Sequence, residues 1–477
     1  MKAPFSAYLT EIKGGLRQLI GLLRREYDYV SVLATDSKGL AVRISQHARS
    51  VTSETMTTER GIVIRVCKDG QYSEYALNDF NPTDPEGAAE RISKALAEQQ
   101  KILAVTNSKV YETGLLSDEP ITLFVEKETE QLPETTDVKA LVEQCTAISD
   151  EAMTLGKDMI ECIVNAQSTH ICKLFLTEHR DMSQSYVYSE GVVAPVVSRE
   201  GRNQMGYESV SGLCGPELFE QLKEKAAAAV RTAEELLDAG RIEPGEYDII
   251  TSPEVTGLIA HEAFGHGVEM DMFVKNRALG KEYIGQRVGS DLVTMHEGAL
   301  CAQDVTTYAF DDEGTLAGDV IEIDHGILET GICDALSALR LGIAPTGNGK
   351  RQNFAHKAYT RMTNTIFDSG TDTLEDMIAS IDHGYLLEGM ESGMEDPKHW
   401  GIQCIIERGY EIIDGKLTGK VVSPLVMTGY VPDLLGSVSM VSGDRGVFGN
   451  GACGKGHKEW VKVADGGPYL KAKVRLG

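Results

Sequence analysis

At 477 residues, with 42% hydrophobic and 25% charged side chains, the chain can bury a large core, which excludes disorder, collagen and a long coiled coil. Forty-six Lys and Arg against 72 Asp and Glu leave a net charge of −26, a field that repels phosphate backbones and anionic lipid. This argues against a primary nucleic-acid role, which needs a basic footprint, and against a membrane-surface role.

In chain order, residues 1–29 carry apolar side chains at helical spacing interrupted by Glu11, Lys13, Arg17, Arg24 and Arg25, which predicts an amphipathic helix rather than a signal peptide. Residues 29–76 alternate apolar and polar between the turn signals 36–39 and 68–70, the pattern of antiparallel strands. Helices are predicted over about 86–104 and 136–156, strands over 159–200, and a long alanine-rich helix over about 216–239. Helix, strands and helix thus follow one another twice, a pattern that hints at an internal duplication. A turn-rich link at 239–246 marks the expected boundary between domains 1–240 and 241–477. Beyond it short strands are punctuated by Gly and Asp, with helices expected at 253–266 and 373–382. The fold class expected is α+β: antiparallel strands with long helices in the N-terminal half, and a β-rich, barrel-like or layered C-terminal domain with inserted helices. Nine widely spaced cysteines, an odd number, read as reduced thiols of a cytoplasmic protein. No apolar run approaches membrane-spanning length.

The sharpest local feature is His261-Glu262-Ala263-Phe264-Gly265-His266, on a helix that opens with Ser252 as N-cap and Pro253 at the first helical position. Two imidazoles and a carboxylate within six residues are what a hydrolytic zinc site requires: neutral nitrogens to hold the ion and a base to take a proton. At about 100° per residue, a spacing of five turns the histidines about 140° apart on a regular helix, so the motif demands a local bulge or an early helix end, for which Gly265 and Gly267 leave room. The alternative is a packed His261 beside a solvated helix end. A catalytic zinc takes a third protein ligand, and Glu269, Asp271, Cys453 and His457 all remain open on composition; Lys455 beside Cys453 is a candidate for keeping the sulfur deprotonated.

His261–His266, the segment Arg361-Met362-Thr363-Asn364-Thr365, and Val438-Ser439-Met440-Val441 followed by Gly451-Ala452-Cys453-Gly454-Lys455 together resemble the TldD/PmbA family of metallopeptidases, across the whole C-terminal half. The resemblance implies zinc bound by His261, His266 and Cys453, with Glu262 as general base, and cleavage of peptides and unfolded segments. It also implies a homodimer, or a heterodimer with a PmbA/TldE-like subunit that lacks the motif; this chain is similar to the catalytic member. The alternative function is a non-proteolytic binding protein of the gyrase-modulator type. One stretch departs from the family: where catalytic members carry a Gly-Gly-Gln-Val-Asp-like segment, this chain reads Met394-Glu395-Asp396-Pro397-Lys398-His399-Trp400-Gly401, which shapes a cleft differently. Arg361 and Asn364 are candidates for lining the cleft or for structural hydrogen bonds.

Overall fold

The computed structural model describes residues 1–105, 111–456 and 459–477. Its first sheet runs in the order Gln71–Leu77, Arg60–Lys68, Tyr29–Ile44, Met159–Leu176, Arg180–Arg199, Ile121–Glu126. The two predicted helix–strand–helix runs therefore share one sheet, joined where Tyr29–Ile44 pairs antiparallel with Met159–Leu176. Only the edge pair of this path, Ile121–Glu126 on Arg180–Arg199, is parallel. Ala7–Leu23, capped by the Ser6 side chain, and Pro85–Val105 bury Leu9, Leu16, Ile92 and Leu96 against one end of the sheet. Val138–Ala152 and Leu222–Asp238 bury Leu141, Cys145, Ala226 and Val230 against the other. The turn predicted at 36–39 is absent. Tyr29–Ile44 runs straight through it because the buried Asp36 carboxylate is satisfied in place, accepting from Ser6 Oγ at 2.5 Å and Arg60 Nε at 2.8 Å. The turn at 68–70 forms, with Asp69 and Gly70 at φ 51° and 74°.

The β-rich half closes into a five-stranded barrel. Gly245–Thr251 lies parallel to His383–Asp396, which folds back on Gly401–Ile413, then Leu425–Tyr430, then Ala464–Leu476. Ala464–Leu476 returns to pair antiparallel with Gly245–Thr251, from Gly245 opposite Leu476 to Thr251 opposite Leu470, so the ring has no free seam there. The helix Pro253–Ile259 springs directly from the end of the first of these strands. Its Val255, Leu258 and Ile259 join one core with Leu387, Cys404, Ile406, Leu425, Met427 and Leu470 of the barrel. The helix expected near 373–382 forms over Leu374–Ala379, and Ala335–Leu341 and Val431–Gly436 add short helices that periodicity did not reveal. No helix among the described residues is long and apolar enough to cross a membrane, and the nine cysteines are free.

A buried ion network ties the first sheet to the C-terminal half. Arg65 donates from Nε to Glu74 at 2.7 Å and from Nη1 to Glu313 at 2.5 Å, and Arg351 donates from Nη2 to the same Glu74 at 2.6 Å. Burial alone would raise the Glu74 carboxyl, but the two guanidiniums hold it below the usual carboxylate range. Arg65→Met strands Glu313 and half of Glu74, and is expected to cost about 3–5 kcal/mol in urea denaturation. A loss below about 1 kcal/mol would show that these carboxylates are rescued by solvent.

Candidate metal centre

Ser252 caps the helix by accepting from the Val255 amide, and Pro253 fills the first position, where a missing N–H costs nothing. The helix is regular through Ile259 and then widens: Ala260–Gly265 is wound as a π-turn, followed by a tight 3₁₀ turn at His266–Val268. In the wide turn the His266 amide donates to the His261 carbonyl, five residues back. One extra residue per turn cancels much of the angle that an α-helix would put between the two histidines. Their rings meet edge to face, with centroids 5.1 Å apart and planes at 90°. Gly265 itself has ordinary helical dihedrals (φ −55°, ψ −49°), so its value here is space rather than backbone freedom. A β-carbon there would sit 2.2 Å from Met362 Sδ.

Cys453 arrives from the far end of the chain on the hairpin of Ala452–Lys455 and Glu459–Lys462. Buried Arg361 fixes that hairpin, donating to the Cys453 carbonyl at 2.5 Å and the Glu459 carbonyl at 2.9 Å. Cys453 Sγ lies 3.4 Å from His266 Nε2, and the donor atoms of His261, His266 and Cys453 all fall within 4.8 Å of one another. Of the other third-ligand candidates, Glu269 stands behind His266, its Oε2 3.0 Å from Nδ1. Asp271 is engaged by Lys455 at 2.8 Å and Lys275 at 2.9 Å. His457 lies outside the described residues. Asn364 is structural, its amide donating to the Gly298 and Ala302 carbonyls.

Lys455 does not serve the sulfur as anticipated. Its ammonium is directed to Glu269 at 3.0 Å, Asp271 at 2.8 Å and the Thr360 carbonyl at 3.0 Å. The imidazoles do that work: burial opposes ionisation of the Cys453 thiol, yet His266 and His261 hold it well below the usual thiol range. Reciprocally, burial disfavours charged rings, but the Cys453 charge raises His261 to about 9, and Cys453 with Glu269 raises His266 well above the usual imidazole range. Burial works against the Glu269 charge, and Lys455 and His266 overcome it and keep Glu269 ionised. His261 Nδ1 is buried without a hydrogen-bond partner, 3.9 Å from Asp465 Oδ2. Two imidazoles and a thiolate whose donor atoms lie within 4.8 Å of one another are a donor set that fits a zinc-type ion.

Glu262 lies along the wall of a groove of about 770 Å³ that also takes in His261, His266, Cys453 and the strand stretch 390–395. That strand passes so close that a β-carbon on Gly393 would sit 2.3 Å from Glu262 Cγ. Glu395, on the divergent segment, is one of five carboxyls on this wall, with Glu262, Glu269, Glu391 and Asp465. Burial raises the Glu395 carboxyl well above the usual carboxylate range; His266 opposes the rise and Glu262 and Glu269 add to it. Of the carboxylates around the site, Asp465 escaped sequence reading, whereas Glu269 stood among the ligand candidates and Glu395 within the divergent segment expected to shape the cleft. Only Glu269, one tight turn beyond His266, left a signal in its spacing.

Residues 244–473 match the PmbA/TldA metallopeptidase C-terminal domain. A metalloprotease of Methanocaldococcus jannaschii is 31% identical over 58% of this chain and 60% of its own length, so the match spans about three fifths of that relative. A metalloprotease of Synechocystis is 25% identical over 98% of both chains. The solved structure of TldE from Thermococcus kodakarensis superposes with a TM-score of 0.76 over 97% of this chain and all of its own, at 17% identity, a likeness of fold.

Because its thiol is held well below the usual range, Cys453 of metal-free protein is expected to react with iodoacetamide at a pH clearly below that range. Cys145, pushed up by burial to about 11, and Cys162, to about 12, are protonated at that pH and stay silent. Mass mapping of the labelled peptides checks this. Labelling of Cys453 only above about pH 8.5, the ordinary thiol value, would contradict the ion pair.

Proposed function

We infer that this chain, which belongs to the PmbA/TldD family, is a zinc-dependent peptidase that hydrolyses extended or unfolded polypeptides. The observation that carries the inference is the convergence of His261, His266 and Cys453 within 4.8 Å, beside Glu262, on the wall of a groove of about 770 Å³. The three would hold the ion through two imidazole nitrogens and a thiolate. When bound, zinc supplies a positive charge that lowers the pKa of a water from about 15.7 towards about 7 and polarises an amide carbonyl.

The chain's own residues do the rest. Glu262 accepts the water proton on a carboxylate oxygen and delivers it to the departing amine nitrogen. Glu269, itself held by Lys455, accepts from His266 Nδ1, which leaves Nε2 as the nitrogen facing the ion. Asp465, 3.9 Å from His261 Nδ1, is the carboxylate on which the orphaned nitrogen can lean. Arg361 anchors the hairpin that delivers Cys453, and so acts on the site through position alone.

Recognition of an extended chain is supported by an open strand edge. His383–Asp396 pairs with Gly245–Thr251 only from Gly384 to Leu387, and beyond that only its Gly401–Ile413 side is paired among the described residues. A peptide added as a strand along 390–395 is read through its backbone, largely independent of sequence. A dimer that closes over this groove, either of two copies or with a TldE-like subunit of the same fold, restricts entry to unfolded segments.

A second reading has an observation of its own. Cys453, His266 and Glu269 stand in the order of a nucleophile, base and orienting carboxylate, with separations of 3.4 and 3.0 Å. It leaves His261 and Glu262 without a role, and activity that survives chelation would favour it. For the zinc peptidase, Glu262→Ala is expected to keep about one metal per chain while losing about 10²- to 10⁴-fold in turnover. Cys453→Ser and His266→Ala should lose the metal itself. Elemental analysis with cleavage of an unstructured peptide decides the matter: wild-type turnover by Glu262→Ala, or no stoichiometric metal in active protein, defeats the proposal and revives a binding protein or cysteine hydrolase.

A further inference from the structure

Two polar groups, Glu395 of the groove wall and Trp400 close behind it, are left without partners. Both carboxyl oxygens of Glu395 and the indole nitrogen of Trp400 are buried and make no hydrogen bond. They meet over the glycine that follows His266: a β-carbon on Gly267 would lie 2.6 Å from Glu395 Oε1 and 3.2 Å from Trp400 Nε1. The Gly267 amide is near enough to favour the Glu395 charge without aligning to bond it. Natural interiors seldom leave such groups unpaired, and those that remain cluster where a ligand completes them.

The two orphans differ in freedom. Trp400 is fixed, with its backbone at φ 57° and its ring against Tyr283, Phe264 and Tyr430 at centroid distances of 4.6, 5.5 and 6.3 Å. Glu395 ends a flexible side chain on a strand edge. It shares a strand face with Gly393, across which Glu262 lies, because alternate residues point the same way. Two strand positions span roughly 7 Å, within reach of the amine of the residue being cleaved or of a neighbouring side chain. The charges around it are acidic: Glu391, Glu262, Glu269 and Asp465 line the same groove, and the ammonium of Lys455 is already shared by Glu269 and Asp271. A cationic guest is the one the surroundings reward.

We propose that Glu395 is a specificity-determining residue that grips an ammonium group of the peptide, carried by its first residue or by a lysine side chain, one strand repeat from Glu262. This rests on the peptidase reading and names the substrates it favours. The divergent segment 394–401 is then what gives this chain its own preference.

The test uses full-length protein and three versions of one unstructured peptide: with a free amino terminus and one lysine, with the terminus acetylated, and with norleucine for lysine. Cleavage by wild type and Glu395→Gln is compared with calorimetric binding to Glu262→Ala and to Glu262→Ala/Glu395→Gln, which requires no turnover. Removing the recognised ammonium is expected to lower wild-type kcat/KM and affinity about tenfold to a hundredfold. The arm that drops identifies the terminus or the lysine as the source. Glu395→Gln should bring that ratio to within about twofold, and Glu395→Asp should retain part of the preference. An unchanged ratio in Glu395→Gln, or no preference in wild type, overturns the proposal. If wild type cleaves none of the peptides the peptidase reading fails, and the binding ratios still decide the part played by Glu395.

Discussion

Two imidazoles five residues apart on one helix meet only if the backbone between them is wound wider than an α-helix. The six residues Ala260–Gly265 meet that condition, and almost everything else near the site serves to hold them in it. A π-turn is intrinsically poorer than the α-turn it replaces, so the surroundings must overdetermine it. Ala260, Ala263 and Phe264 are fully buried in the barrel core, which fixes the inner face of the turn. Met362 fills the space where a side chain on residue 265 would be. The closed ring of strands supplies the rigidity, because a barrel has no loose edge where the helix is rooted. Its strand Gly245–Thr251 is paired on both sides before it hands the chain to Ser252.

What was legible in the sequence follows from range. The spacing of His261 and His266 is local, and the demand for a distorted turn could be read from it, though the part played by Gly265 could not. Caps are local too: Ser252, Pro253 and the Asp69–Gly70 turn stand where their chemistry puts them. Asp36 misled because its turn-forming character was outweighed by Ser6 and Arg60, partners 30 and 24 residues away. The same limit left the expected barrel undistinguished from a layered sheet. Alternation marks a strand but does not say which strands meet, and closure depends on Ala464–Leu476 pairing with a strand more than 200 residues earlier. Lys455 was misassigned for a related reason. Its neighbour in sequence is the thiol, whereas its neighbours in space are Glu269, Asp271 and the Thr360 carbonyl.

The electrostatics of the site are those of a host for cations. Burial raises Asp465 to about 7, a rise that His261 opposes and Glu262 reinforces. At the start of the same helix burial raises Glu254 to about 7 as well, with Glu407 and Asp465 adding to it. Carboxyls in that condition prefer either a proton or a nearby positive charge. The Cys453 thiolate and its two imidazoles are a self-contained answer in metal-free protein, since each charge is stabilised by the others. A divalent ion held by His261, His266 and Cys453 would supply a stronger counter-charge to the thiolate, with both imidazoles neutral.

Proximity of Cys453 to His266 is compatible with either a ligand pair or a nucleophile and its base, so the deciding feature is what surrounds the pair. A nucleophile needs one base and one orienting group, and the pair already has both in His266 and Glu269. The wide turn is then superfluous, since a nucleophilic cysteine gains nothing from a second imidazole brought round to within 4.8 Å of its sulfur. Nor would it need the Glu262 carboxylate set against Gly393 on the groove wall. A cation asks for both: a third donor to complete its grip, and a base beside the open position. The backbone distortion at Ala260–Gly265, which costs stability wherever it occurs, is therefore accounted for by one reading of the site and left idle by the other.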